Sequence, residues 1–206
     1  MTADRAAFVA ATDVSRETLD RLDLYAQLLK KWNPRINLVA PATLPALWTR
    51  HFRDSAQLFR LAPLGVTRRA DFGSGGGFPG MVVAILAAET PLEVTLVESD
   101  QRKAAFLRTV ARETSVTVTV RAQRLEATRA LNAQVVSARA LAPLPKLLEH
   151  CARHLAPDGT ALLPKGARHA DEIAKALETW SFHCEKVPSE TDDSAVILQI
   201  TELARE

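Results

Sequence analysis

Asp71-Phe72-Gly73-Ser74-Gly75-Gly76-Gly77-Phe78-Pro79-Gly80 follows a short apolar run, Arg69 to Phe72, and precedes a helical segment, Pro79 to Ala88. Glycine lets the backbone turn sharply and approach a ligand with no Cβ in the way, and proline suits the first position of a following helix. The spacing predicts a strand, a nucleotide-binding turn and a helix N-terminus, in that order. Outward from this unit, short apolar runs alternate with helical segments, which is the pattern of a parallel sheet with crossover helices. Strands are expected at Arg69 to Phe72, Glu93 to Val97, Thr117 to Val120, Gln134 to Ser137, Thr160 to Leu163, Phe182 to Val187 and Val196 to Thr201. Helices are expected at Pro79 to Ala88, Arg102 to Glu113, Glu126 to Ala130, Lys146 to Leu155 and Ala170 to Trp180. The last two strands are joined by Pro188 to Ser194, with no helix, so they should pair as an antiparallel hairpin at one sheet edge. The fold class is α/β: a doubly wound, mostly parallel, seven-stranded sheet.

Before the sheet the chain reads as helical. Leu19, Leu22, Ala26, Leu29 and Trp32 recur at helical spacing from Ser15, an N-cap candidate, to Trp32, with Pro34 just beyond. Leu44 to Leu61 places Leu47, Trp48, Leu58 and Phe59 on one apolar face and is closed by Pro63 and Gly65. The division expected is a basic N-terminal helical extension over residues 1–66 and a nucleotide-binding domain over 67–206. Residues Met1 to Ala70 hold 11 lysines and arginines against 6 acids, whereas the rest of the chain is acidic by three charges. A basic segment beside a catalytic module suits a polyanionic partner; a solvated helical face is the other reading of the same charges.

No apolar run reaches the roughly 18 residues a membrane span needs. Residues Met1 to Ala11 carry Asp4 and Arg5 and lack the long apolar core of a secretory signal, so the compartment expected is the cytoplasm. Cys151 and Cys184 stand far apart and outside any C-x-x-C pair, which argues against a zinc site or a disulfide framework. No metal is expected.

Gly75, Gly77 and Gly80 also satisfy the dinucleotide pattern G-x-G-x-x-G, so two ligand classes compete for the loop. Asp71 tips the balance. Its carboxylate would repel a pyrophosphate but would gain a charge-assisted hydrogen bond beside the amino group of S-adenosylmethionine, which also carries a cationic sulfur. Glu98, at the end of the second strand, is placed to accept hydrogen bonds from ribose hydroxyls, in either cofactor. Arg124-Leu125-Glu126 follows the third strand and Arg139 the fourth, at the carboxyl edge where open sheets bind ligands. Glu126 is read equally as a cap of the next helix. Arg139 lies in the small and apolar stretch Ser137 to Pro143, where an unpaired guanidinium is costly, so it should pair with a carboxylate or phosphate.

Together the residues closely resemble the small-subunit (16S) ribosomal RNA methyltransferase G family, also called glucose-inhibited division protein B. The resemblance rests on Trp32-Asn33-Pro34-Arg35-Ile36-Asn37-Leu38, His51-Phe52-Arg53-Asp54-Ser55, the glycine loop through Gly80, Val97-Glu98-Ser99 with Arg102-Lys103 and Phe106-Leu107, and Arg139-Ala140, and it spans nearly the whole chain. It implies a class I, Rossmann-like S-adenosylmethionine-dependent methyltransferase that acts on N7 of a guanine in the 530 loop of 16S ribosomal RNA, within the small ribosomal subunit. By the same resemblance Gly73, Phe78, Leu125, Glu126 and Arg139 are cofactor contacts, supported by Asp71, Gly75 and Glu98. The chain departs from the family at Gln134-Val135-Val136, where an acid usually precedes the strand, and at Leu38-Val39-Ala40, where many relatives have Thr after the Leu. Guanine N7 has an in-plane lone pair and no proton to lose, so placement and electrostatics should supply the catalysis, with no general base. Arg139, Asn37 and His51 are expected to orient the base or the cofactor; Lys30, Lys31, Arg35, Arg50 and Arg53 are expected to bind RNA phosphates. The rival readings are an NAD(P)-binding oxidoreductase, for which no hydride-transfer constellation is visible, and a non-catalytic ribosome-assembly factor.

Overall fold

The computed structural model of the chain describes residues 2–206. Helix α1 (Ala3–Ala11) buries Phe8 against Trp48, with ring centroids 5.2 Å apart. Helix α2 (Arg16–Ile36) is capped by Ser15, whose hydroxyl accepts from the Thr18 amide at 3.1 Å. Its buried residues, Leu22, Tyr25, Ala26, Leu29 and Asn33, recur every three or four positions and form one face. The helix runs through Pro34, past the end expected at Trp32. Proline removes one amide donor, but the Asn37 amide still donates to the Asn33 carbonyl at 3.0 Å. Buried Asn33 then closes the end: its Oδ1 accepts from the amides of Leu38 and Val39 at 2.8 and 2.9 Å. Asn37 is the left-handed C-cap, at φ 48°.

The single helix expected over Leu44 to Leu61 is three pieces: a 3-10 turn (Pro41–Ala46), a π-turn (Trp48–Arg53) and α3 (Asp54–Arg60). Pro41 and Pro45 leave the first piece too few donors for an α-helical ladder, and the wider π-turn sends Trp48, His51 and Phe52 inward together.

The strands are β1 (Arg68–Phe72), β2 (Glu93–Val97), β3 (Thr119–Arg121), β4 (Ala133–Ala138), β5 (Leu155–Lys165), β6 (Trp180–Pro188) and β7 (Val196–Arg205). They form one seven-stranded sheet in the order β3-β2-β1-β4-β5-β7-β6. The first five are parallel, and β7 lies antiparallel between β5 and β6. The hairpin expected at the edge is present, with its first strand outermost. Helices α4 (Gly80–Leu86), α5 (Gln101–Glu113), α6 (Leu144–His154) and α7 (His169–Ala176) complete the layers.

Two helix expectations are corrected. Glu126 to Ala130 forms only a 3-10 turn, Leu125–Ala127, so Glu126 caps no helix. The helix expected to reach Trp180 stops at Ala176, and Trp180 opens β6, where it is buried with Leu198 and Ile200 and lies under the Arg205 guanidinium. That aromatic surface is better covered on the sheet than on an exposed last helical turn.

One core packs α1, α2, the π-turn, α4 and α5 on one face of the sheet; a second packs α6 and α7 on the other. The helices before residue 67 therefore share their core with the glycine loop and with Val94 and Leu96 of β2. No helix among the described residues is long and apolar enough to cross a membrane. The strand order reverses between β1 and β4, and in open sheets that crevice, beyond the carboxyl ends of the strands, is where ligands bind.

Candidate functional site

The register pairs Asp71 with Ser137 and Phe72 with Ala138, so the loops after β1 and β4 leave the sheet side by side. The glycine loop is held from three sides. Gly73, Gly75 and Gly77 all take positive φ. From behind, the Tyr25 hydroxyl donates to the Gly76 carbonyl while its ring stacks on Phe78 at 5.5 Å and 18°. From the β4 side, Leu141 lies so close that a Cβ on Gly73 would sit 2.6 Å from its Cδ1. From β2, Glu98 takes the Gly75 amide on Oε2 at 2.8 Å and the Asp100 amide on Oε1 at 2.7 Å. Each carboxylate oxygen has two acceptor positions, so one on each remains, a pair that fits the vicinal hydroxyls of a ribose.

Asp71 does not face a ligand as expected; it is buried beneath the loop. Its Oδ1 accepts from Ser137 Oγ at 2.7 Å, and its Oδ2 has no hydrogen-bond partner among the described residues. Burial pushes the Asp71 carboxyl up to about 6, against the opposing hydrogen bond from Ser137. An acid whose pKa is raised by folding holds its proton more tightly in the folded chain. Stability from this group is thus greatest below about pH 4 and falls as pH rises toward 6. A shift of that size is worth about 3 kcal/mol. The substitution Asp71→Asn keeps the Ser137 partner and removes the titration. Between pH 4 and pH 7, unfolding free energies should move by about that amount in favour of the variant; a difference that stays constant with pH would refute the assignment.

Phe78 is the hinge between this loop and a polar cluster on the π-turn. Arg139 stands over its ring, with the guanidinium carbon 5.2 Å from the centroid, and His51 lies 4.9 Å away. Arg139 pairs with Asp54 Oδ2 at 3.1 Å, reaches the Arg50 carbonyl at 3.3 Å and meets His51 Nδ1 at 2.8 Å. It has the carboxylate partner that its apolar surroundings required. A guanidinium only donates, so His51 Nδ1 is the acceptor and Nε2 carries the proton, donated to Thr43 Oγ1 at 2.8 Å; that hydroxyl donates onward to the Ala40 carbonyl. Burial first, then Arg139 and Arg50, depress the His51 pKa to about 3, so the ring is neutral at physiological pH. Asp54 Oδ1 is also engaged, by the Thr191 hydroxyl at 3.0 Å.

Arg139, His51, Asp54 and Thr191 border a cavity of about 820 Å³ over the ends of β4 and β5. Leu141, Pro143, Leu147 and Pro164 line it as well; Gly73, Gly75, Phe78, Glu98, Leu125 and Glu126 do not. The Arg139 to Ala142 segment thus has the cavity on one side and the glycine loop on the other. Leu125 is buried and Glu126 is exposed after β3, with its carboxylate 3.8 Å from His150 Nε2. Asn37 is exposed and its side chain has no hydrogen-bond partner among the described residues; its place is set by its capping conformation. Lys30, Lys31 and Arg35 are exposed toward the end of α2. Arg50 and Arg53, expected to be open to phosphate, are paired with Asp192 at 3.3 Å and Glu190 at 3.4 Å on the β6–β7 connection. These are partly exposed pairs of small strength that a phosphate can compete for.

The family model for rRNA small subunit methyltransferase G matches residues 18–196. The chain belongs to that family. It is similar to "Ribosomal RNA small subunit methyltransferase G" of Rhodospirillum centenum, 55% identical over 197 residues that cover 96% of this chain and 90% of that one. The protein of the same name from Ruegeria sp. (strain TM1040) is 52% identical, covering 94% and 95%. Among solved structures, an O-methyltransferase from Bacillus cereus in complex with SAH superposes with a TM-score of 0.62 at 13% identity over 98% of each chain. A putative S-adenosyl-L-methionine-dependent methyltransferase from Methanococcus maripaludis gives 0.61 at 9% identity, over 95% of this chain and 98% of that one. Those two likenesses establish the fold.

Within this methyltransferase G chain, Tyr25, Asp54, Thr43 and Leu141 are site residues that sequence reasoning passed over. Tyr25 carried a signal, since a tyrosine on the buried face of an amphipathic helix needs a hydroxyl partner. So did Asp54, three residues after His51 and on the same helical face. Leu141 and Thr43 carried none, because their contacts depend on how distant loops meet.

Proposed function

We infer that this protein transfers a methyl group from S-adenosylmethionine to N7 of a guanine in the 530 loop of 16S ribosomal RNA, in the cytoplasm and on the small ribosomal subunit. Membership in the rRNA small subunit methyltransferase G family carries the reading. The residues present fit the donor: a glycine turn that side chains would fill and a Glu98 carboxylate with an acceptor left on each oxygen. Gly73, Gly75, Phe78, Glu98, Leu125 and Glu126 would hold it, with Arg139 alongside. When bound, S-adenosylmethionine supplies a methyl group on a positively charged sulfur, which the guanine N7 lone pair takes up without losing a proton.

The chain's own part is placement. Phe78 and Arg139 join the donor loop to the cavity, and the neutral His51 holds the guanidinium from behind. Neither the neutral His51 nor a guanidinium is placed to take a proton, and N7 methylation asks for none. Lys30, Lys31 and Arg35 on α2 would meet RNA phosphates, with the N-terminal helical extension as the RNA-facing unit. The deciding experiment incubates the protein with radiolabelled methyl donor and small subunits that lack the modification, then maps the label. One N7-methylguanosine in the 530 loop is the expected product; label at another base, or none, would defeat the reading.

A further inference from the structure

The polar cluster accounts for only part of the lining of the 820 Å³ cavity. Arg168, just before α7, and Lys175, in its last turn, also line it. Neither forms an ion pair among the described residues, whereas the other cations of the cavity, Arg50, Arg139 and Lys165, are each paired with an acid. Lys165 is buried and ties the wall together: its ammonium donates to Glu172 at 2.7 Å and to the Ala142 carbonyl at 3.2 Å, and the same Glu172 oxygen accepts the Leu144 amide at 2.7 Å. That network holds α7 against the loop after β4. Leu141, Pro143, Leu147 and Pro164 give the cavity an apolar part. Asp171 also lines the cavity and is the acid there with no partner among the described residues, so Arg168, Lys175 and Asp171 together leave one net positive charge.

We propose that this cavity receives a single unstacked purine nucleotide of the RNA substrate, with the base against Leu141, Pro143 and Pro164 and the adjoining backbone phosphates on Arg168 and Lys175. The inference rests on the methyltransferase reading and adds to it where the acceptor enters. The volume lies within the roughly 300–1,000 Å³ of small-molecule sites, which suits one nucleotide and excludes a duplex. Enzymes that act on a base take it out of its stack, and the pocket needs an apolar face for the base and unpaired cations for the phosphate. The wall nearest the donor is the segment whose Leu141 touches Gly73, and its turn is held by Ala140 in a left-handed conformation, φ 52°. The Arg139 to Ala142 segment therefore borders both the cavity and the glycine loop.

The test compares wild type with the double variant Arg168→Ala/Lys175→Ala in binding a labelled 16S ribosomal RNA fragment spanning the 530 loop, across a salt series. Loss of two phosphate contacts should weaken binding at least tenfold and flatten the slope of log affinity against log salt by about 1.4, at roughly 0.7 per single-strand contact. Exchanging the two cations, Arg168→Lys/Lys175→Arg, should restore most of the affinity, which a packing role would not predict. Affinity for S-adenosylmethionine should be unchanged in both variants, which also reports that they fold. Equal affinity and equal slope in the double alanine variant would overturn the proposal, as would a wild type that fails to bind the fragment. Because binding is read without turnover, the two ideas fail separately: a wild type that binds through these cations but transfers no methyl group defeats the reaction and leaves the site.

Discussion

Alanine at Gly77 is expected to cost roughly 2–5 kcal/mol of folding stability and to abolish measurable cofactor binding. Two effects add. The backbone at Gly77 has φ 96°, and a left-handed conformation costs an L-residue about 1–2 kcal/mol. In addition, the new Cβ would fall on the Tyr25 hydroxyl and lie 2.9 Å from the Met81 Cβ and 3.2 Å from Leu107 Cδ2. Tyr25 is fully buried and bound to the Gly76 carbonyl, so it has nowhere to withdraw, and overpacking of this kind costs about 1–3 kcal/mol. Gly65 provides the control. It also has positive φ, at 79°, but nothing lies within 4 Å of a Cβ there, so Gly65→Ala should cost the conformational share alone and leave cofactor binding intact. Denaturant midpoints and cofactor titrations of the two variants decide the matter. Equal losses would mean that α2 does not brace the loop.

Arg139→Ala is expected to slow methyl transfer by about 100-fold at saturating donor and RNA, with a much smaller effect on unfolding. The guanidinium is fixed by three partners, Asp54, His51 and the Arg50 carbonyl, and among the described residues it is the one cation lying on the Phe78 ring at the junction of loop and cavity. Small misplacements at a reacting centre cost factors of this order. Arg139→Lys should recover less than a tenth of the lost rate, because an ammonium cannot serve the carboxylate, the imidazole and the carbonyl as the planar fork does. Full recovery by lysine would reduce Arg139 to a point charge and remove the need for the His51 contact.

The architecture was legible wherever one segment carries its own pattern. The glycine loop, the apolar runs of β1, β2 and β4 and the buried face of α2 are such segments and formed where the sequence places them, whereas β3 starts two residues later than its run and β5 starts earlier, at Leu155. The departures have local causes. Asn33 Oδ1 closes α2 beyond Pro34 by accepting two amides, Pro45 and a π-turn divide what reads as one helix, and Trp180 is drawn into β6 by the surface it buries. The site was legible in part. Glu98 and the glycines stand at strand ends, where the βαβ pattern already puts them. Arg139 could be recognised as needing a partner, but not that the partner is Asp54, 85 residues earlier and supplied by the π-turn. The burial of Asp71 and the pairing of Arg50 and Arg53 with Asp192 and Glu190 were out of reach for the same reason: each depends on loops distant in sequence.

At the centre of the account stands a transfer that placement alone accomplishes, with no protein group taking a proton. Single-turnover methyl transfer at saturating donor and small subunits, followed from pH 6.5 to pH 9, tests this most directly. His51 is neutral throughout that range and guanine N7 has no proton to lose, so the rate should be flat. A rate that rises tenfold per pH unit to an inflection and then levels would reveal a general base and contradict the account.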